Sequence, residues 1–289
     1  MLWLRKQRKK ELAKQTQLMK WSMLTHEYHR ASYDLKPLVQ KSKLADHPVV
    51  VSLTSYGQRI DDVYLVLESI AQQTVKPNRV ILWLAEDEIG INELPLTLQQ
   101  RLEFGLEVRF CPDIRSYKKI IPTLELCPDS IIITLDDDII YPHDTIENLL
   151  REHHQYPQAI IGCRAHEITF ANGKMRPYRR WNKEVNRQSQ HLFVTSGGGT
   201  LFPPHSLFNE TNNRELFMQL CPHADDIWLN IMARLQSTEI RKAKGRCFSQ
   251  FVQVMNNQTG GLNKMNVDNG LNDKQLEAVL NHFKLKIAP

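Results

Sequence analysis

The sequence predicts an α/β protein: a mostly parallel sheet flanked by helices, with a basic helical extension in front of it. Three observations carry that reading. From residue 48 onward, short runs rich in Val, Ile and Leu alternate with segments at helical spacing, the order that builds βαβ units with right-handed crossovers. The run Ser130–Leu135 (SIIITL) is almost wholly apolar and ends in three aspartates, as befits a strand covered on both faces. Residues 1–45 hold eleven Lys/Arg against three acids, while the other 244 residues sum to −3.

The chain's 289 residues are 42% hydrophobic and 24% charged, a globular composition that argues against disorder, collagen or a coiled coil. A chain this long buries a full core without disulfide or metal staples. No apolar run reaches the ~18 residues that a membrane-spanning helix needs. The opening MLWLRKQRKK turns basic after four residues and lacks a continuous apolar secretory segment, so the expected location is the cytoplasm. Five cysteines, no two closer than 16 residues, exclude a CxxC zinc or redox motif and read as buried thiols.

Residues 1–45 read as a basic, partly amphipathic helical leader. Leu18, Trp21 and Tyr28 fall near one helical face among the cations, a pattern that suits the anionic inner face of the cytoplasmic membrane through residues 1–30. The other reading is a helix that packs on the body or on a partner chain. The near-neutral body argues against nucleic acid as a partner.

Taken in order, Val49–Ser52 reads as a strand, Thr54–Gly57 as the turn after it, and Asp61–Gln73 as a helix through Val63, Leu67 and Ile70. Arg79–Leu84 and Leu106–Cys111 follow as strands, with a helix over Pro95–Phe104 between them. Tyr117–Leu126 fits a short helix limited by Pro122. In the second half, Ala159–Arg164, Ile168–Phe170, His191–Thr195, Thr200–Phe202 and Phe251–Met255 read as strands, and Ala224–Leu235 and Asp273–Lys284 as helices. Arg176–Gln190 and the Asn- and Gly-rich Asn256–Asn272 read as loops. Ligands of such sheets bind beyond the carboxyl ends of the strands.

Chemistry concentrates at those ends. Asp136, Asp137 and Asp138 follow the apolar strand and would repel one another without a cation. Hard oxygen ligands of this kind suit Mg²⁺ or Mn²⁺ completed by a diphosphate. The alternative is a solvated acidic turn. Ser196-Gly-Gly-Gly-Thr200 lets a backbone approach a ligand closely, as a wall under a sugar ring or as a packed bulge; it matches neither GxGxxG nor GxxxxGK[ST]. Asp225 and Asp226 open an apolar helix, where the dipole favours negative charge; one can cap it and the other can serve as a general base. Arg59, Lys118 and Lys119 lie near strand ends, placed to neutralise a phosphate.

Five segments in this order, Val51–Ile60, Tyr117–Pro122, Leu135–Asp138, Gly197–Pro203 and Ala224–Trp228, resemble a GT-A (Rossmann-like) glycosyltransferase, and more narrowly the family-2-like transferases of bacterial capsule and lipopolysaccharide synthesis. The resemblance implies one domain over residues 46–289. Residues 46–140 would hold a nucleotide-sugar donor, often a UDP-sugar, and residues 141–289 a glycan or lipid-linked glycan acceptor. Thr54 and Tyr56 would line the base pocket, with Arg59, Lys118 and Asp137 also on the donor. Asp136 would meet the ribose, and Asp138 with Asp136 the metal. Gly198, Gly199 and Trp228 would face the acceptor. Asp225 or Asp226, with Asp226 preferred as the later acid, would be the base of an inverting displacement. A metal-dependent nucleotidyltransferase and a catalytically silent sugar- or nucleotide-binding protein are the competing readings.

Overall fold

A computed structural model of the chain describes residues 1–244, 251–254 and 270–289. The chain begins with helix α1 (Leu2–Ala31) and a connecting segment. It then runs β1 (Val49–Thr54), α2 (Val63–Ala71), β2 (Arg79–Ala85), α3 (Leu96–Leu102), β3 (Leu106–Cys111), α4 (Ile121–Leu126) and β4 (Ile131–Leu135). After β4 come β5 (Ile139–Ile140), α5 (Thr145–Gln155), β6 (Ile160–Gly162), β7 (Ala165–Glu167), β8 (Phe170–Ala171), β9 (Lys174–Met175), β10 (Leu192–Val194) and β11 (Gly198–Phe202). Helices α6 (Arg214–Leu220) and α7 (Asp225–Leu235), strands β12 (Ile240–Lys242) and β13 (Val252–Gln253), and helix α8 (Leu271–His282) complete the described chain.

Seven strands form one sheet in the order β12-β6-β11-β4-β1-β2-β3. Every neighbouring pair is parallel except the two made by β11, which runs against β4 and β6. The expected mostly parallel α/β sheet is therefore what forms. Its central strand is β4, and beside it β1 sets Val51 between Val80 of β2 and Ile133 of β4. Strand alternation sends Val49, Val51 and Leu53 into a core with Val63, Leu67 and Ile70 of α2. Val50 faces the other way, onto Ile81, Trp83, Cys111 and Cys127. On that second face the Thr123 hydroxyl of α4 meets both Ser52 Oγ and Trp83 Nε1 at 2.7 Å, which satisfies three buried polar groups together. A further core joins Phe193, Phe217, Ile231, Met232 and Val279 under α6, α7 and α8.

Several boundaries differ from the sequence reading for identifiable reasons. Pro122 starts a helix well but cannot continue one, so 117–126 divides into a 3-10 turn (Arg115–Lys119) and α4. Of the strand expected at Ile168–Phe170 only Phe170 is in a strand, β8; the buried Ile168 lies between β7 and β8 and donates its backbone N–H to the His191 carbonyl. The glycine stretch joins the sheet two residues early, as β11. Most of the expected loop Asn256–Asn272, and Met255, lie outside the described residues. Cys111, Cys127, Cys163 and Cys221 are free and buried. Among the described residues no helix is long and apolar enough to cross a membrane.

Helix α1 is continuous, and Trp21, Leu24 and Tyr28 press it onto the first core. Leu18, expected beside them, is 51% exposed. The segment after α1 is stitched to the body: Leu38 is buried and bonds the Phe104 carbonyl, and Arg101 reaches the Lys36 carbonyl at 2.8 Å. Arg101 also pairs with Glu68 of α2, both almost fully buried. Removing one member of a buried pair strands the other. Arg101→Leu is expected to cost about 3–5 kcal/mol, read as a lowered urea midpoint, whereas replacing Arg101 and Glu68 together by apolar residues should recover much of the loss.

Candidate active site

The chain leaves β1 toward β2 and β3, then returns to lay β4 on the opposite side of β1. Such a reversal opens a crevice beyond the carboxyl ends of the two strands. The loop after β1 (Ser55–Arg59), the turn after β4 (Asp136–Asp138), the 3-10 turn beyond β3, and the start of antiparallel β11 all meet there. Helix α7 adds its first turn.

Lys119 joins the two acidic motifs. Its ammonium lies 2.8 Å from Asp136 Oδ1 and 3.3 Å from Asp225 Oδ2. Burial works against that charge, but Asp136, Asp225 and Asp226 outweigh it and hold Lys119 above the usual lysine range. Arg59 performs the matching task on the other side of the triplet, 2.8 Å from Asp137 and 3.2 Å from Asp138. Asp137 also accepts the Ser55 hydroxyl at 2.6 Å. Even so, burial raises Asp137 above the usual carboxylate range. Asp138 rises to about 6, through burial and then the charges of Asp136 and Asp137. Among the described residues, five carboxylates thus gather around two cations.

Ser196, the residue before the glycines, organises the α7 acids. Its backbone N–H donates to Asp226 Oδ1 and its hydroxyl to Asp225 Oδ2, each at 2.6 Å. Asp225 takes a further bond from Ser116 at 2.7 Å. The two neighbours therefore diverge. Burial pushes Asp225 up, but Lys119, Ser196 and Ser116 bring it below its ordinary value. Burial and the Asp225 charge push Asp226 up to about 6. Among the described residues no cation lies within ion-pair distance of Asp226.

Gly197 fills a second role. A Cβ there would fall 1.7 Å from an oxygen of Asp136, so only glycine lets the triplet lie against β11. Tyr141, buried, bonds both the Asp136 backbone N–H, at 2.7 Å, and the Gly197 carbonyl. The sequence marks Ser196 only as the head of the glycine stretch and gives no signal for Tyr141, three residues past Asp138.

The remaining predicted residues separate into two groups. Thr54 and Tyr56 are at the carboxyl end of β1; Thr54 bonds the Trp83 carbonyl at 2.8 Å, and Tyr56 is 44% exposed beneath the Arg59 guanidinium. Three expectations need correction. Lys118 is buried and turned to Asp113 at 2.5 Å, so the lysine on the acids is Lys119. Gly198 and Gly199 are buried in a bulged strand, with Gly199 at φ +86°, so they shape the sheet and form no exposed acceptor wall. Trp228 is fully buried against Phe217 and Phe283, with its Nε1 on the Thr211 carbonyl, and reaches no acceptor.

Asp136 and Asp138 are 37% and 22% exposed and offer hard oxygens to the cleft. Among the described residues no three His, Cys, Asp or Glu side chains form a self-sufficient cage. That donor set fits Mg²⁺ or Mn²⁺, which take one or two carboxylates and complete the shell with phosphate and water.

No family model and no curated protein sequence match the chain. Solved structures do. A mannosyltransferase from Pyrobaculum calidifontis, in complex with GDP-Man and Mn²⁺, superposes over 96% of this chain and 74% of its own, with a TM-score of 0.51 at 13% identity. The fold is of the GT-A type. Residues 1–349 of S. aureus TarS in complex with UDP match 69% of this chain over 59% of their own at 13% identity and a TM-score of 0.46. An inositol-1-phosphate CTP transferase from T. maritima matches 73% over 90% at 9% identity and a TM-score of 0.42. At such identities the likeness extends to the fold alone.

Two substitutions test the architecture. Lys119→Met leaves Asp225 buried without its cation; a loss of about 3–5 kcal/mol is expected, measured by denaturant titration. Gly197→Ala must swing the Asp136 carboxylate off Lys119; the melting temperature should fall, and divalent-metal affinity measured by calorimetry should fall with it.

Proposed function

We propose that the chain is a metal-dependent glycosyltransferase that moves a sugar from a nucleotide-sugar donor to a glycan hydroxyl with inversion, in bacterial surface-polysaccharide synthesis. The observation that carries this reading is the Lys119 bridge, which sets the acid at the end of β4 beside the acids that open α7. A donor diphosphate near the first and an acceptor near the second would then react across one lysine.

In this reading Thr54 and Tyr56 line the base pocket, and Asp136 meets the ribose. Asp137 is tied back by Ser55 and Arg59, so it fixes the turn that presents its neighbours. Asp136 and Asp138 would hold Mg²⁺ or Mn²⁺, which when bound neutralises charge on the leaving diphosphate. Asp226 takes the proton of the acceptor hydroxyl as that oxygen attacks the anomeric carbon. The bond from that carbon to the diphosphate oxygen breaks, and a nucleoside diphosphate departs with the electron pair. Asp225, held by Ser116, Ser196 and Lys119, keeps the helix start and its partner in place. A nucleotidyltransferase on the same scaffold would release pyrophosphate instead.

Thermal shift with UDP, GDP, CDP and CMP, with and without Mn²⁺, tests the donor half. One nucleoside diphosphate should raise the melting temperature in a metal-dependent way, and Asp138→Ala should abolish the rise. Asp226→Asn should keep that shift and lose about 10²–10⁴-fold in turnover; retained turnover would remove Asp226 from the base role. A general base acts deprotonated, and Asp226 is raised to about 6. The rate under kcat/KM conditions should therefore fall by about tenfold or more per pH unit below that value, and Asp226→Asn should make the limb shallower, leaving the part due to Asp138, which is also raised to about 6.

A further inference from the structure

We propose that α1 is a docking element for an anionic lipid surface. Its contact with the body is confined to the later turns: the partly or fully buried positions are Gln17, Trp21, Leu24, Thr25, Tyr28 and Ala31. Every described side chain before Gln17 is exposed. At ~1.5 Å per residue the stretch of helix before Gln17 extends for roughly 22 Å.

The face turned away from the body has a definite composition. Leu12, Met19 and Met23 are 64%, 67% and 72% exposed, and their spacing of seven and then four residues puts them on one side of a helix. Two residues from Trp21 in either direction, Met19 and Met23 face opposite to it. Arg5, Arg8 and Arg30 share this outward side, and Lys9 and Lys20 border it. The only acids of the helix, Glu11 and Glu27, fall at its margins.

Such a face has one kind of complement. A bilayer with anionic headgroups accepts Leu and Met at the acyl boundary and Arg and Lys at the headgroups together. A nucleic acid would answer the cations and leave the apolar residues in water. A second copy would cover the apolar residues and bring like charges together. The inner part of α1 rests on α2 and β13, and the backbone N–H of Val254, just past β13, bonds the Asp138 carbonyl at 2.8 Å. The helix that meets the lipid is therefore packed on the strand that secures the aspartate turn.

Co-sedimentation of the full chain with vesicles of phosphatidylcholine alone, or of phosphatidylcholine with phosphatidylglycerol, tests the proposal. Binding is expected to the anionic vesicles only and to weaken as salt rises. Two variants, L12Q/M19Q/M23Q and R5Q/R8Q/K9Q, alter exposed residues outside the cleft. Each should keep the parent melting curve and lose binding by about tenfold or more. Three outcomes would overturn the proposal. One is no preference between the vesicle types. Another is binding that survives the apolar variant and is matched by duplex DNA of any sequence. The third is a dimer, seen by light scattering, that L12Q/M19Q/M23Q dissolves while the parent ignores both vesicles.

Discussion

One buried ammonium organises the cleft. Lys119 arrives on a 3-10 turn beyond β3, a strand three places away from β4, and its charge is held between an acid from each half of the chain. Asp225, almost wholly withdrawn from water, is tolerable as an anion only because Lys119 and two serine hydroxyls face it. Asp136, more exposed, depends on the lysine less for its charge and more for its direction. The contact therefore fixes the spacing between the β4 turn and the start of α7, and the sheet alone does not set that spacing.

The rest of the cleft supports this bridge with small residues and short bonds. Gly197 permits close approach of the triplet, Tyr141 ties the Asp136 backbone to β11, and Ser55 with Arg59 anchors Asp137. Ser55 directly follows β1 and Gly197 directly precedes β11, while Arg59 and Tyr141 sit a few residues beyond β1 and β4. Their positions are consequently as rigid as the ladders beside them, where β1 is paired on both edges. Rigid placement matters because acids and cations assembled in advance need no reorganisation when charge moves.

The strands were legible because their residues are. Three consecutive Ile before Thr134, or three Val opening β1, can lie only where both faces of a sheet are covered. The acidic motifs were legible for the converse reason: three adjacent aspartates directly after a buried run repel one another unless a cation is near. What escaped the sequence was direction. Lys118 and Lys119 are adjacent, both buried, and opposite in allegiance; a 3-10 turn separates them by about a third of a revolution, and nothing in the order of residues says which one faces the crevice. Trp228 was misplaced for the same reason. It lies two residues beyond Asp226 on α7, hence on the far side of the helix, where Phe217 and Phe283 enclose it. The bonds of Ser196 are not readable in the order of residues, because they join positions 29 and 30 residues distant.

Asp225 and Asp226 show how a single local asymmetry produces two chemistries from identical side chains. Both open α7, and both feel its dipole. Both are bonded by the same serine, one through its hydroxyl and the other through its backbone. The difference is that Lys119 and Ser116 bond Asp225 alone. Asp225 is thereby kept ionised, and its charge, next to a largely dehydrated Asp226, makes the second ionisation harder. A pair of acids driven apart in this manner leaves one held as an anion and the other raised to about 6. The lysine sets which is which, so the assignment of the exchangeable acid follows from where the cation sits, independent of any order along the chain.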